Sequence, residues 1–199
     1  MAKIKLTKNE LKKQKDGLKM FKRYLPTLML KKQQLQMEIR KVKQRKRDAE
    51  KNKEQINNEF KSWIAVFGED VGLNADLIKV KNILTDKTNI AGVNIPVFKT
   101  GEFFPVTYDL FKKPLWVDKA VEKLKTVILL DLELKVLDEQ VKLLGEELRV
   151  TTQRVNLFEK VKIPEANNNI KKISVYLGDQ QTASVVRGKI SKNKLTKAA

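Results

Sequence analysis

The 199-residue sequence contains no cysteine and no histidine. Disulfide bonds, thiolate nucleophiles, Cys/His metal sites and histidine acid–base catalysis are therefore excluded. Glycine is scarce, at 8 residues, and its spacing matches no phosphate-binding loop. Carboxylates fall mostly in neighbouring pairs such as Asp138/Glu139 and Glu146/Glu147, which do not share a helix face. The sequence thus predicts no catalytic residue, no metal site and no cofactor.

Long hydrophobic runs are also missing. Aromatic residues make up only 7% of the chain, and no apolar run approaches the roughly 18 residues that cross a bilayer. The first ten residues, MAKIKLTKNE, lack the apolar region of a secretory signal. We therefore expect a soluble cytoplasmic protein without direct membrane insertion.

Positive charge is abundant and unevenly distributed. Residues 1–60 carry 19 Lys and Arg against 7 Asp and Glu, and residues 163–199 carry 7 against 2. The intervening residues are nearly neutral, although the whole chain has a net charge of +18. Basic ends on a neutral middle indicate an anionic partner, such as nucleic acid, lipid headgroups or an acidic protein surface.

The first third of the chain shows a seven-residue apolar repeat. One series consists of Leu28, Leu35, Val42, Ala49, Ile56 and Trp63; a second begins with Ile4, Leu11, Leu18 and Leu25 and ends with Phe60 and Phe67. Two such series form a coiled-coil seam, although Lys32, Lys46 and Lys53 interrupt the second. Thr7 and Glu10 have the spacing of a capping box at the helix start. We predict an N-terminal helix within residues 1–67.

A second seam predicts a C-terminal helix within residues 114–199. Its apolar positions alternate by four and three residues: Leu130, Leu134, Leu137, Val141, Leu144, Leu148, Thr151, Val155 and Phe158. Each helix needs a partner for its apolar stripe. Antiparallel pairing within the chain is the preferred solution, and pairing between chains into a filament is the alternative. The fold class expected is all-α, a long antiparallel two-helix coiled coil.

Residues 68–113 form a central insert of different composition. We predict a short helix over residues 75–84 and a β-hairpin over residues 89–111, with its turn at Lys99–Gly101. Pro96 and Pro105 cannot donate to a ladder, so both strands should be exposed edges. The hairpin carries aromatic residues that either bind a partner protein or pack on the helices: Phe98, Phe103, Phe104, Tyr108 and Phe111.

The two helices each contain a proline at a similar distance from the central insert. Proline removes a backbone donor and clashes with the preceding turn, so Pro26 and Pro164 should each bend or break a helix. Pro164 also suits the first turn of a new helix, and three asparagines follow it at residues 167–169. We predict a kink near Pro164 followed by a basic tail.

Both chain ends resemble one protein family. LTKNELKKQKDGLKMFKRYLPTLMLKKQQL near the N-terminus, and RVNLFE, IPEANNNIKKI and VVRGK near the C-terminus, are similar to the D subunit of V-type and A-type rotary ATPases. The chain ends soon after VVRGK, which resembles the bacterial and archaeal members. The resemblance implies a non-catalytic central stalk that links ATP synthesis or hydrolysis to hydrogen ion or other ion transport at the cytoplasmic face of the membrane.

The resemblance also implies partners. These are the A and B subunits of the catalytic head, the F subunit of the stalk, and the C or d subunit above the membrane rotor ring. From charge and position, we expect a set of residues near the chain ends to face the head: Lys5, Lys8, Lys12, Lys13, Arg154, Asn167, Asn168, Asn169, Lys171, Lys172, Gln180, Gln181 and Arg187.

Two other functions compete with a stalk. The basic run KVKQRKRDAEKNK at residues 41–53 is compatible with a nucleic-acid-binding coiled coil, but no aromatic residues interleave it and no reading motif is present. An anionic membrane surface is the other alternative, although a narrow seam suits a helix partner better than a bilayer. We expect no nucleic acid partner.

Overall fold

The computed structural model describes residues 4–61, 78–105, 114 and 116–198. Its elements are, in order, helix α1 (Lys8–Lys61), strand β1 (Val80–Ile90), strand β2 (Val93–Phe103), helix α2 (Trp116–Asn156), a π-helical segment (Leu157–Lys162) and helix α3 (Ile163–Ala198). The predicted fold class, with long N- and C-terminal helices and a small hairpin between them, is confirmed.

The chain forms two compact units. The terminal unit contains residues 1–32 and 150–199, and the central unit contains residues 33–149. α1 and α2 each contribute residues to both units. The predicted domain limits at residues 67 and 113 lie outside the described ranges, and these limits stay predictions.

The start of α1 follows the predicted cap. The Glu10 backbone N–H donates to Thr7 Oγ1 at 3.3 Å, which satisfies one of the orphan donors of the first turn. The Glu10 carboxylate accepts a hydrogen bond from Gln14 Nε2 at 2.8 Å, which links the first turn of the helix to the second. α1 then continues through Pro26 without interruption. A break at Pro26 is therefore wrong, while a bend there stays a prediction.

Helices α1 and α2 pack against each other in the central unit. Leu35 and Val42 of α1 form one buried cluster with Leu137 and Leu144 of α2 and with Ile95 of β2. These leucines and the valine occupy the predicted seam positions, and burial of each such side chain contributes about 1.5–3 kcal/mol. The pairing of the two seams within one chain is thus confirmed for these positions; Trp63 and Phe67 lie outside the described residues.

The predicted hairpin turn at Lys99–Gly101 is wrong, because those residues lie inside β2. Ile90 pairs with Val93, and the two-residue turn between them has φ values of 52° at Ala91 and 83° at Gly92. Positive φ at both central residues is the type I′ geometry that matches strand twist. The Asn89 side chain supports this turn by accepting a hydrogen bond from the Gly92 N–H at 3.1 Å.

The predicted helix over residues 75–84 is wrong at its C-terminal end. Residues 80–84 belong to β1, which pairs antiparallel with β2; residues 75–77 lie outside the described ranges. Cross-strand pairing with β2 overrides the weak helical pattern, and the β-branched Val80 and Ile83 favour a strand. Each described strand has one free edge, as predicted from Pro96.

Strand β2 lies against α2. The Gln140 side chain is buried and donates from Nε2 to the carbonyl oxygen of Pro96 at 2.5 Å. At Gly101 the helix comes so close that an added Cβ would lie 2.7 Å from Leu129 Cδ2. Lys125 Nζ lies 5.6 Å from the centre of the Phe103 ring. These contacts place the hairpin on the α1–α2 seam of the central unit.

The terminal unit has its own antiparallel helix contacts. The rings of Phe21 and Phe158 lie 5.2 Å apart, and Asn169 Nδ2 donates to Gln14 Oε1 at 3.5 Å. Moving towards the C-terminus from Phe158 to Asn169 therefore corresponds to moving towards the N-terminus of α1, from Phe21 to Gln14. This is the order expected of antiparallel helices. Val155, Ala166 and Ile173 are buried on the same side of the C-terminal helices.

The π-helical segment is adjacent to Pro164. The Ile163 backbone N–H donates to the carbonyl oxygen of Phe158, five residues earlier. A proline ring clashes with the carbonyl four residues before it, and a wider turn moves that carbonyl away. The irregularity predicted at Pro164 is thus present as a π turn, while the predicted kink in axis direction stays a prediction.

Gly92 in the hairpin turn and Gly145 in α2 provide a test of the turn geometry, because only Gly92 has a positive φ. Gly92→Ala places a Cβ at positive φ and should lower the free energy of unfolding by about 1 kcal/mol. Gly145 lies in α2, and no atom lies within 4 Å of a Cβ added there. Gly145→Ala should therefore raise the free energy of unfolding by about 0.5–1 kcal/mol. Urea unfolding measures both. Stabilisation by Gly92→Ala would contradict the type I′ turn.

Candidate partner-binding surfaces

The predicted head-facing residues all belong to the terminal unit. All except Asn169 are exposed there. Lys5, Lys8 and Lys12 recur at helical spacing near the start of α1. Arg154 and Arg187 are 33 residues apart on the C-terminal helices, which corresponds to roughly 50 Å of helix rise. The residues therefore form an extended polar surface rather than one pocket.

Asn169 differs from the other predicted residues. Its side chain is only 8% exposed and bonds Gln14 within the chain. Asn167 and Asn168 are exposed on α3. The three asparagines therefore divide between the helix seam and the surface, and Asn169 is not among the residues that we propose for partner contact.

A shallow groove of about 460 Å³ lies beside the N-terminal end of α1. Its lining comprises Leu6, Lys171, Lys172, Val175, Tyr176 and Asp179. The structure thus brings two of the predicted cations next to exposed apolar side chains. This combination offers a partner both charge attraction and apolar contact.

Exposed apolar residues on α3 were not predicted as surface residues. Val175, Tyr176, Val186 and Ile190 are all at least 40% exposed, and Val186 and Ile190 are four residues apart on one helix face. Leu6 already lies beside Asp179, and residues 182–197 are exposed throughout. The sequence contained a signal, because apolar residues continue beyond Leu177 at Val185, Val186 and Ile190.

The hairpin aromatics do not form one continuous exposed cluster among the described residues. Phe98 and Phe103 are half-buried, while Phe104 is 43% exposed. Tyr108 and Phe111 lie outside the described residues. Packing within the chain accounts for part of this set, and Phe104 is the most available member for a partner.

Cross-helix ion pairs occupy the seam positions where lysine replaced an apolar residue. Lys46 Nζ lies 2.6 Å from Asp138 Oδ1, and Lys53 Nζ lies 2.5 Å from Asp131 Oδ1. Both the lysines and the aspartates are seven residues apart, as antiparallel helices require. A third pair joins Lys123 to Glu59 at 2.5 Å. The periodicity of either helix alone does not reveal these partners, because each pair depends on how the two helices are aligned.

The ion pair with Asp138 changes the protonation of Lys46. The hydrogen bond to Asp138 raises the pKa of Lys46 above its ordinary value of 10.5, against a smaller opposing effect of desolvation. The folded state therefore favours the charged amine. The resulting stabilisation is fully present below pH 10.5 and is lost as the pH rises through the raised pKa.

Across the described residues, no helix combines the length and the apolar character needed to cross a membrane. The same ranges hold no group of carboxylates arranged to bind a metal ion. The features that stand out for function are therefore surfaces and not a cavity lined with reactive groups.

Comparison with known proteins gives consistent matches over nearly the whole chain. A family model for the D subunit of ATP synthase matches residues 10–193. The D subunit of the V-type ATP synthase from Borreliella burgdorferi is 55% identical over 197 residues, which cover 99% of this chain and 97% of the relative. The proteins of the same name from Chlamydia pneumoniae and Chlamydia muridarum are 34% and 33% identical, covering 96% and 98% of this chain and 93% and 97% of the relatives.

The Lys46 ion pair can be tested by titration. In Asp138→Asn the pKa of Lys46 should fall back towards 10.5, because its main hydrogen-bond acceptor loses its charge. Asp131→Asn is the control, since it removes the acceptor of Lys53 and leaves that of Lys46 in place. Side-chain NMR of the lysine amines measures each value. An unchanged Lys46 pKa in Asp138→Asn would contradict the pairing.

Proposed function

The chain belongs to the D-subunit family of ATP synthases, and on that premise we propose that it is the central stalk of a V/A-type rotary ATPase. In this role it turns within a ring of A and B subunits and couples ATP hydrolysis or synthesis to ion translocation. Its other partners are the F subunit of the stalk and the C or d subunit, which joins the stalk to the membrane rotor ring. The chain acts at the cytoplasmic face and carries no catalytic residue of its own.

The proposal is supported most by one observation, the antiparallel pairing of N- and C-terminal helices found in each unit. In the central unit, Leu35 and Leu144 share a buried cluster and cross-helix ion pairs flank it. In the terminal unit, Phe21 meets Phe158. Twisting one helix relative to the other would separate these partners, so a helix pair of this kind can carry torque.

The outward side chains of the terminal unit suit contact with a surrounding ring. Cations such as Lys12 and Lys171 are exposed, and apolar side chains such as Val186 lie on α3. A body whose faces differ in charge and apolarity presents a different surface to each catalytic subunit as it turns. Such differential contact can shift each subunit between open and closed populations.

Rotation can be observed directly. The chain has no cysteine, so Lys87→Cys supplies one labelling position on the exposed part of β1. With the A and B subunits fixed to a surface, a bead attached at residue 87 should turn in one direction when ATP is added. Single-molecule video measures the motion. ATP hydrolysis with a stationary bead would contradict the stalk role.

The terminal cations can be tested by charge reversal. Changing Lys12, Lys13, Lys171 and Lys172 together to Glu should weaken binding to the A and B ring by on the order of tenfold or more, since each exposed pair is worth up to about 1 kcal/mol. The control reverses four exposed central-unit lysines and so changes the net charge equally: Lys87, Lys119, Lys135 and Lys142. Equal binding by both variants would refute the electrostatic contribution.

A further inference from the structure

The basic run at residues 41–53 contains two kinds of cation. Lys41, Lys46 and Lys53 form ion pairs with Glu38, Asp138 and Asp131, respectively. The other four, Lys43, Arg45, Arg47 and Lys51, are exposed and form no ion pair within the described ranges. The ion pairs thus neutralise part of the positive charge of this run, and the cations without an ion pair carry the rest.

Four exposed cations line one face of α1. Arg40, Lys43, Arg47 and Lys51 follow one another at spacings of three, four and four residues, which places them in one row. We call this row the basic stripe. It spans about 16 Å along the helix. Measured around the helix from Val42, the four stripe residues lie about 100° to 180° away, so the stripe is on the side away from the buried seam.

The stripe does not stabilise the helix that carries it. Like charges at i and i+4, as in Lys43, Arg47 and Lys51, destabilise a helix by about 0.2–0.5 kcal/mol per pair. No ion pair joins the stripe to another residue in the ranges that the structure describes. The neighbouring Asp48 and Glu50 bond Gln44 and Lys46 instead. The repulsion within the stripe is therefore left for a partner to neutralise.

From this arrangement we propose that the basic stripe binds an acidic α-helical surface of another protein in the assembly. An α-helix with carboxylates every three or four residues matches the roughly 5.4 Å pitch on which the stripe is built. Charge complementarity of this kind fixes register between partners and increases the association rate. The inference goes beyond the stalk role, because it assigns a protein partner to the central unit independently of the terminal surface.

A protein partner fits the stripe better than nucleic acid does. Glu54 is exposed three residues after Lys51, so the same face ends in a negative charge, which a partner helix can match with one cation and a uniformly anionic phosphate backbone cannot. Met37 is the exposed large apolar residue nearest the stripe, and no aromatic residue lies among the four cations to stack on a base. Mixed charge on one helix face is typical of helix–helix contacts.

Site-specific cross-linking within the assembled ATPase tests the proposal. A photoreactive benzoylphenylalanine replaces Gln44, which is exposed between Lys43 and Arg47, and in a control it replaces Lys142 on the exposed face of α2. Mass spectrometry should identify, for Gln44 alone, a peptide from another protein of the assembly with carboxylates at helical spacing. A cross-link to nucleic acid, to a segment without carboxylates, or to no partner at all would overturn the proposal.

Charge reversal provides a second readout that does not depend on rotation. Changing the four stripe residues to Glu should lower the yield of the Gln44 cross-link by about tenfold or more, whereas the matched reversal of Lys87, Lys119, Lys135 and Lys142 should not. Neutral Gln replacements at the stripe should give an intermediate loss, and bead rotation by the same variants shows that the chain still folds and assembles. An unchanged yield would overturn the proposal, and bead rotation that persists in these variants would leave the stalk role intact.

Discussion

The buried contact between α1 and α2 is the interaction on which the central unit depends. Leu35 and Leu144 are fully buried in it, and replacing such a leucine by alanine removes about 2–5 kcal/mol. Ile95 of β2 belongs to the same cluster, so the hairpin is seated by the contact that joins the helices. Gly101 then permits the rest of β2 to approach α2 closely. The position of the hairpin is therefore a consequence of the helix seam.

Apolar burial holds the helices together but does not choose their register, because it is non-directional. The lysines in the seam select the register of the two helices. Lys46 and Lys53 meet Asp138 and Asp131 in only one antiparallel alignment, and a shift by three or four residues along either helix would break both pairs. Each pair is partly exposed, so its contribution to stability is small. Their main effect is to disfavour alternative alignments of two long apolar stripes.

The sequence predicted what depends on periodicity and missed what depends on pairing. Seven-residue spacing identified Leu35, Val42 and Ala49, which are all buried. The hairpin turn was misplaced because Ala91–Gly92 lacks the usual Asn-Gly signal, while Lys99–Gly101 has turn-like composition. Asn169 resembles its two exposed neighbours in sequence, and only the position of Gln14 on α1 separates them.

Net charge alone could not locate a partner surface on this chain. A total of +18 predicts an anionic partner, yet the cations of α1 divide into those neutralised across the seam and those that face outward. Outward charges attract over a Debye length of about 8 Å in physiological salt, without requiring interlocked side chains. Apolar contacts require close fit, and their loss at each step would oppose movement. In the stalk role proposed above, exposed cations can therefore keep a partner close without tight packing, while a fixed register requires a partner whose carboxylates match them.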